Sequence, residues 1–294
     1  MKTHADCAPC LMKRVLFQSR LVNNGTDFAA MQAAVKTYAA LMSPDVDSAT
    51  IATEVHRRAY AAMGVSDPYA QMKLDADRVA AEYVPRAQAF IDAAPDRFRA
   101  AVRISIIGNI MDFGSGNAID NPEEFGGVFD QLLDQGVGSD QTDELRRLVD
   151  KSQTVIYVFD NCGEDQLDRL LIRELKNMGK RVVGLVRGAP ILNDVTREDA
   201  VRIGLDRDLD RIVDTGGFAV GVPKDSSAEL KEELSRAGVL IAKGMANFES
   251  LSEHDLPVPV VYLLRAKCIP VASLLNVPVG TNVVRVKTVC NGKH

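Results

Sequence analysis

Hydrophobic positions recur at helical spacing through the first third of the chain. Leu11–Val22, Phe28–Met42, Ala49–Met63, Tyr69–Ile91 and Arg99–Ile110 each present apolar residues three and four apart, with abundant Ala and no strand-like alternation. Pro44, Gly64 and Pro68 punctuate these stretches, and Pro95 starts the last of them. Pro122–Leu133 and Thr142–Asp150 read as two further helices. From Thr154 the pattern changes. Short apolar runs rich in β-branched residues predict strands at Val155–Phe159, Arg181–Val186, Arg211–Val213, Val239–Ala242, Val260–Leu264 and Val283–Lys287. Helical segments fill most gaps, among them Gly163–Met178 and Ser227–Ala237. Alternation of this kind predicts an α/β fold, a Rossmann-like doubly wound and mostly parallel sheet, with an all-helical N-terminal region packed on it as one wall of a site. The division expected is 1–105 for the helical region and 106–294 for the α/β domain.

Open α/β sheets bind ligands at the carboxyl ends of their strands. The first strand here runs into Asp160-Asn161, and the loop after the second carries Asn193-Asp194. A parallel βαβ unit brings these turns to one edge. Two carboxylates and an amide oxygen, Asp160, Asn161 and Asp194, are hard oxygen ligands suited to Mg²⁺ or Mn²⁺. The fourth strand ends in Lys243-Gly244, followed by Asn247 and Glu249, and the fifth in Arg265 and Lys267. Lys243 is a candidate phosphate cation, and glycines at 188, 216, 217 and 244 allow close backbone approach. Arg187 reads either as a substrate contact or as a structural ion pair.

Charge and composition narrow the function classes. At 294 residues, with 46% hydrophobic and 26% charged residues, the chain can bury a sizeable core. A net charge of −5 argues against nucleic-acid and anionic-membrane partners. No apolar run approaches the roughly 20 residues of a membrane span, and MKTHADCAPC has no apolar signal core, so a cytoplasmic setting is expected. Oligomeric state is not readable. Five cysteines, irregularly spaced, exclude a disulfide framework. Cys7 and Cys10 form a C-x-x-C with three open readings: a structural helix start, a redox pair, or a metal site that would need Cys268 or Cys290 from elsewhere. His56 and His254 read as surface or cap residues. Asp206–Asp214 lacks EF-hand spacing.

GNIMDFG (108–114), DNCGEDQLDRLLIREL (160–175), VRGAPILNDVTREDA (186–200), KGMANFE (243–249) and LLRAKCIPVA (263–272) together resemble the damage-control phosphatase family, formerly domain of unknown function 89. HADCAPC (4–10) is similar to its Cys-x-x-Cys subfamily of archaea and bacteria. The resemblance implies a divalent-metal-dependent phosphatase of small phosphorylated metabolites, often damaged ones, using Mn²⁺, Co²⁺, Ni²⁺ or Mg²⁺. It places the metal on Asp160, Asn161 and Asp194. It places phosphate and substrate on Asn109, Lys243 and Asn247, with Asp112 and Glu249 close by. Cys162 and Ala189 stand where relatives often have Ala and Gly. Aspartyl-nucleophile phosphatases need a second Asp where Cys162 stands, which favours metal-activated water, with Asp194 the first choice of general base. Two rival readings stand beside this one. One is a metal- and phosphometabolite-binding protein that does not turn over. The other is a protein-carboxyl methyltransferase, as some relatives are labelled; the single Gly163 after the first strand suits S-adenosylmethionine poorly.

Overall fold

In a computed structural model the structure describes residues 1–114 and 118–289. Five helices come first: α1 (Cys7–Val22), α2 (Asp27–Leu41), α3 (Ser48–Met63), α4 (Ala70–Ala93) and α5 (Arg97–Gly108). α6 (Phe125–Gln135), β1 (Ser139–Asp140) and α7 (Thr142–Lys151) lead into the alternating part. That part runs β2 (Thr154–Val158), α8 (Glu164–Asn177), β3 (Arg181–Val186), α9 (Arg197–Arg202), β4 (Arg211–Asp214), α10 (Ala228–Leu234), β5 (Val239–Lys243), α11 (Gly244–Leu251), β6 (Val260–Arg265), α12 (Ile269–Leu275) and β7 (Asn282–Lys287).

The seven strands form one sheet in the order β1-β7-β6-β5-β2-β3-β4. All neighbours are parallel except β6 and β7. The strand missing from the sequence reading, β1, is two residues long, too short to show alternation; it pairs with Val283 and Val284 at the sheet edge.

β2 and β5 are buried along their whole length, which explains their unbroken apolar runs: a parallel strand is covered on both faces. Successive residues go to opposite sides. Val155, Tyr157 and Phe159 join the core shared with α1–α8, whereas Ile156 and Val158 join the one made by α10–α12. The helical N-terminal region therefore packs on one face of the sheet.

Chain order places the site. β2, β3 and β4 proceed toward one edge, and the chain then crosses back to lay β5 against the other side of β2. The carboxyl ends of β2 and β5 flank this reversal, where the two outgoing loops part and leave a crevice.

Candidate active site

Phe159 still bonds to the sheet, its amide donating to Leu185 O, and the chain then leaves β2 through Asp160 and Asn161. This turn and the one after β3 are joined by backbone. Val195 N donates to Asp160 O and Cys162 N donates to Asn193 O, both at 2.8 Å, around an Asn161–Asp194 bridge. Asn193 Nδ2 donates to Met111 O at 2.8 Å, which adds the 108–114 turn to the same knot. Asp160, Asn161 and Asp194 consequently line one cavity of about 450 Å³.

Their charges are poorly compensated. Asp160 Oδ2 accepts from Asn109 Nδ2 (3.2 Å) and Asn161 Nδ2 (3.0 Å), while its Oδ1 is buried without a hydrogen-bond partner. Asp194 Oδ2 accepts from Arg187 Nε at 2.6 Å. Burial, then the neighbouring Asp194 and Glu164, push the Asp160 carboxyl well above its ordinary range. Burial also raises Asp194, against the pull of Arg187. Two buried carboxylates with raised proton affinity and an orphaned oxygen fit a divalent cation, which would supply the missing positive charge.

The structure sets several of the other candidate residues outside the cavity lining. Lys243 is fully buried and does not line the cavity; its three ammonium donors go to Ser105 O, Glu164 Oε1 and Asp168 Oδ1, leaving none for a phosphate. Asn247 is likewise sealed in, Nδ2 donating to Phe159 O and Lys243 O. Asn109 lies beneath the cavity and orients Asp160 and Glu164. Arg187 is an ion-pair residue under the acidic turns, 1% exposed. Gly244 has φ 72°, and a Cβ on it would sit 1.7 Å from Asp160 Oδ2, so glycine is required there. Asp112 and Glu249 do line the cavity.

Lys267 and Lys13 are the lysines that line the cavity, and Lys267 is the buried one. Lys267 lies against the acidic floor. It spends two donors on Asn109 O (2.8 Å) and Asp112 Oδ2 (2.7 Å). Arg14 Nη2, from α1, meets Asp112 Oδ1 at 2.9 Å. Burial alone would raise Asp112, but Arg14 and Lys267 outweigh it and hold its pKa at about 2. Burial raises Glu249, whose Oε2 accepts from Ser48 Oγ at 2.7 Å. His56 is not a surface residue: it is 1% exposed, lines the cavity, and burial lowers its pKa to about 3. Arg14, Ser48, Ala52 and His56 make the wall contributed by α1 and α3.

Cys7 and Cys10 stand in the first turn of α1 as free thiols, beside Cys268 at the cavity rim. Burial raises all three thiol pKa values. Cys290 lies outside the described residues. Among the described residues, the group of His, Cys, Asp or Glu that could hold a metal ion is a different one: Asp77, Cys162 and Asp165, all buried, with ligand atoms within 4.8 Å of one another. None of these three lines the cavity. Glu164, at the start of α8, is the residue the sequence reading passed over; it gathers Asn109, Asn161 and Lys243.

The damage-control phosphatase ARMT1-like domain model matches residues 3–283. The chain belongs to the damage-control phosphatase family. It is similar to a damage-control phosphatase of Archaeoglobus fulgidus, 36% identical over 97% of this chain and 99% of that one. A damage-control phosphatase of Pyrococcus horikoshii is 32% identical over 95% and 96%. The crystal structure of a DUF89 family protein from Pyrococcus horikoshii superposes with a TM-score of 0.85 at 30% identity, covering 97% of this chain and 98% of that one. Family membership bears on the chain as a whole. No described helix is long and apolar enough to cross a membrane.

Proposed function

We propose that the chain is a divalent-metal-dependent phosphomonoesterase for small phosphorylated metabolites, with the cation on Asp160, Asn161 and Asp194. The observation that carries this is the buried Asp160 Oδ1, without a hydrogen-bond partner among the described residues, beside Asp194 in a cavity that also presents Lys267 and Arg14. A cation bound there supplies Lewis acidity toward a phosphoryl oxygen and lowers the pKa of water. The protein's own groups do the rest. Lys267 and Arg14, fixed by Asp112, set two positive charges where the phosphate dianion must lie. Asp194, with Oδ2 held by Arg187, is the base that takes the proton of the attacking water. Glu249 and His56 line the cavity and face the remainder of the substrate. The donor set accepts Mn²⁺, Mg²⁺, Co²⁺ or Ni²⁺. We read Cys7 and Cys10 as the mark of the Cys-x-x-Cys subfamily, and the chain as cytoplasmic.

The test is phosphate release from p-nitrophenyl phosphate and a panel of sugar and cofactor phosphates. Metal-stripped protein is given each cation in turn, with Asp160→Ala as control. Metal-dependent release that Asp160→Ala abolishes is expected. Release that persists in a folded Asp160→Ala sinks the assignment, and cation binding with no release from any compound favours the non-catalytic reading.

A further inference from the structure

Deep to the cavity, Asp165 on α8 is fully buried and neither of its carboxylate oxygens has a hydrogen-bond partner. The carboxylates around it each have a basic partner, though they share three cations. Asp77 pairs with Arg202, Asp199 with Arg202 and Lys73, Asp67 with Lys73, and Asp168 and Glu164 with Lys243. Among the described residues Asp165 has no basic partner. Asp67, Asp77, Asp165 and Asp199 are four carboxyl groups set against two cations, Lys73 and Arg202. Burial, with Asp77, Asp168 and Asp199 alongside, pushes the Asp165 carboxyl well above its ordinary range, so a positive charge, from a proton or from a cation, is needed there. An unpaired ionised carboxylate in a protein interior is among the costliest groups to bury.

We propose that a second divalent cation supplies this charge, bound by Asp77, Cys162 and Asp165. The three ligand atoms lie within 4.8 Å of one another. Tetrahedral bonds of about 2.3 Å to sulfur and about 2.0–2.2 Å to oxygen set two ligands of one Zn²⁺ roughly 3.5 Å apart, so side-chain adjustments of about 1 Å close the set. Asp77 already accepts from Gly163 N and Arg202 Nη2, but each carboxylate oxygen has a second lone pair to give. The chemistry differs from that of the cavity. Asp160, Asn161 and Asp194 offer oxygen alone, whereas Cys162 offers a thiolate, which selects Zn²⁺ or Co²⁺ over Mg²⁺. The placement makes the ion structural. Asp77 belongs to α4, and Cys162 and Asp165 flank the start of α8, so the ion ties the helical region to the turn that carries Asp160 and Asn161.

The inference does not rest on the proposed activity, and its readouts are metal content and absorption. A fully enclosed site loads as the chain folds, so full-length protein is purified from cells grown with Co²⁺. Asp160→Ala removes the cavity site, and Cys7→Ser, Cys10→Ser and Cys268→Ser together remove the rim thiols. In that background one equivalent of cobalt with a sulfur-to-cobalt charge-transfer band is expected. Adding Cys162→Ala abolishes the band. Asp165→Asn, nearly isosteric, lowers cobalt content at least tenfold and removes the rise in Tm that loading gives. No band in the starting background, a band that survives Cys162→Ala, or unchanged cobalt in Asp165→Asn overturns the proposal.

Discussion

Arg187 Nε donates to Asp194 Oδ2 at 2.6 Å, while its Nη2 stands 3.6 Å from Asp160 Oδ1. One guanidinium thus leans on both carboxylates proposed to hold the cation, and it is too little charge for two. Arg187→Met is expected to destabilise the metal-free protein by about 3–5 kcal/mol, because the acids lose the buried cation that pairs with both of them. Added Mn²⁺ should restore more Tm to the variant than it adds to the parent. Thermal denaturation with and without metal measures both, and an equal metal-induced rise in the two proteins contradicts the linkage.

The two lysines separate by experiment. Lys243→Met leaves Glu164 and Asp168 buried without their cation and should cost about 3–5 kcal/mol in denaturant unfolding. Lys267→Met opens onto the cavity and should remain folded, raising KM or lowering kcat on phosphate substrates at least tenfold. A folded Lys243→Met with a purely kinetic defect would restore the phosphate role to Lys243.

Gly244→Ala places a methyl group within 1.7 Å of Asp160 Oδ2 and 2.8 Å of Asn109 Nδ2, at a φ of 72°. Backbone strain alone costs about 1–3 kcal/mol. The displaced carboxylate should also lower Mn²⁺ affinity by about 10–100-fold. Calorimetric titration of Mn²⁺ checks this, with Gly127→Ala, an open position, as control.

His56 gives the protein an acid-side liability. Burial holds its folded pKa at about 3, below the ordinary 6.5. Between these values the unfolded chain binds a proton that the folded chain does not. The contribution is therefore fully present above pH 6.5 and is lost as pH falls toward 3, about 1.4 kcal/mol per pH unit inside the window. His56→Gln should flatten the stability–pH curve there. An unchanged slope in urea titrations between pH 6 and 4 contradicts the assignment.

Much of the fold was legible because buried parallel strands and amphipathic helices write their environments into their spacing. The pairing of Asp160 with Asp194 was readable for the same reason: a right-handed βαβ unit must bring both turns to one sheet edge. What was not legible depends on depth and on contacts across the chain. A lysine at a strand end reads the same whether it faces a ligand or two carboxylates. For Lys243 the discriminating signal lay elsewhere, in Glu164 and Asp168, one helical turn apart on the buried face of α8. Arg14 and His56 come from helices whose periodicity says which face is buried but not what it is buried against. Asp77 lies far from Cys162 in sequence, and nothing in local pattern joins them.

The backbone bonds from Val195 to Asp160 and from Cys162 to Asn193 have a thermodynamic consequence. They fasten together two loops that a helix and a strand separate in sequence. The ordering entropy of the ligand cage is therefore spent during folding rather than when a cation arrives. Ion capture then needs little rearrangement of main chain, and affinity is governed by desolvation and proton release at Asp160 and Asp194. Severing either bond would turn a ready cage into two independent loops, each still acidic, that must find one another around every ion.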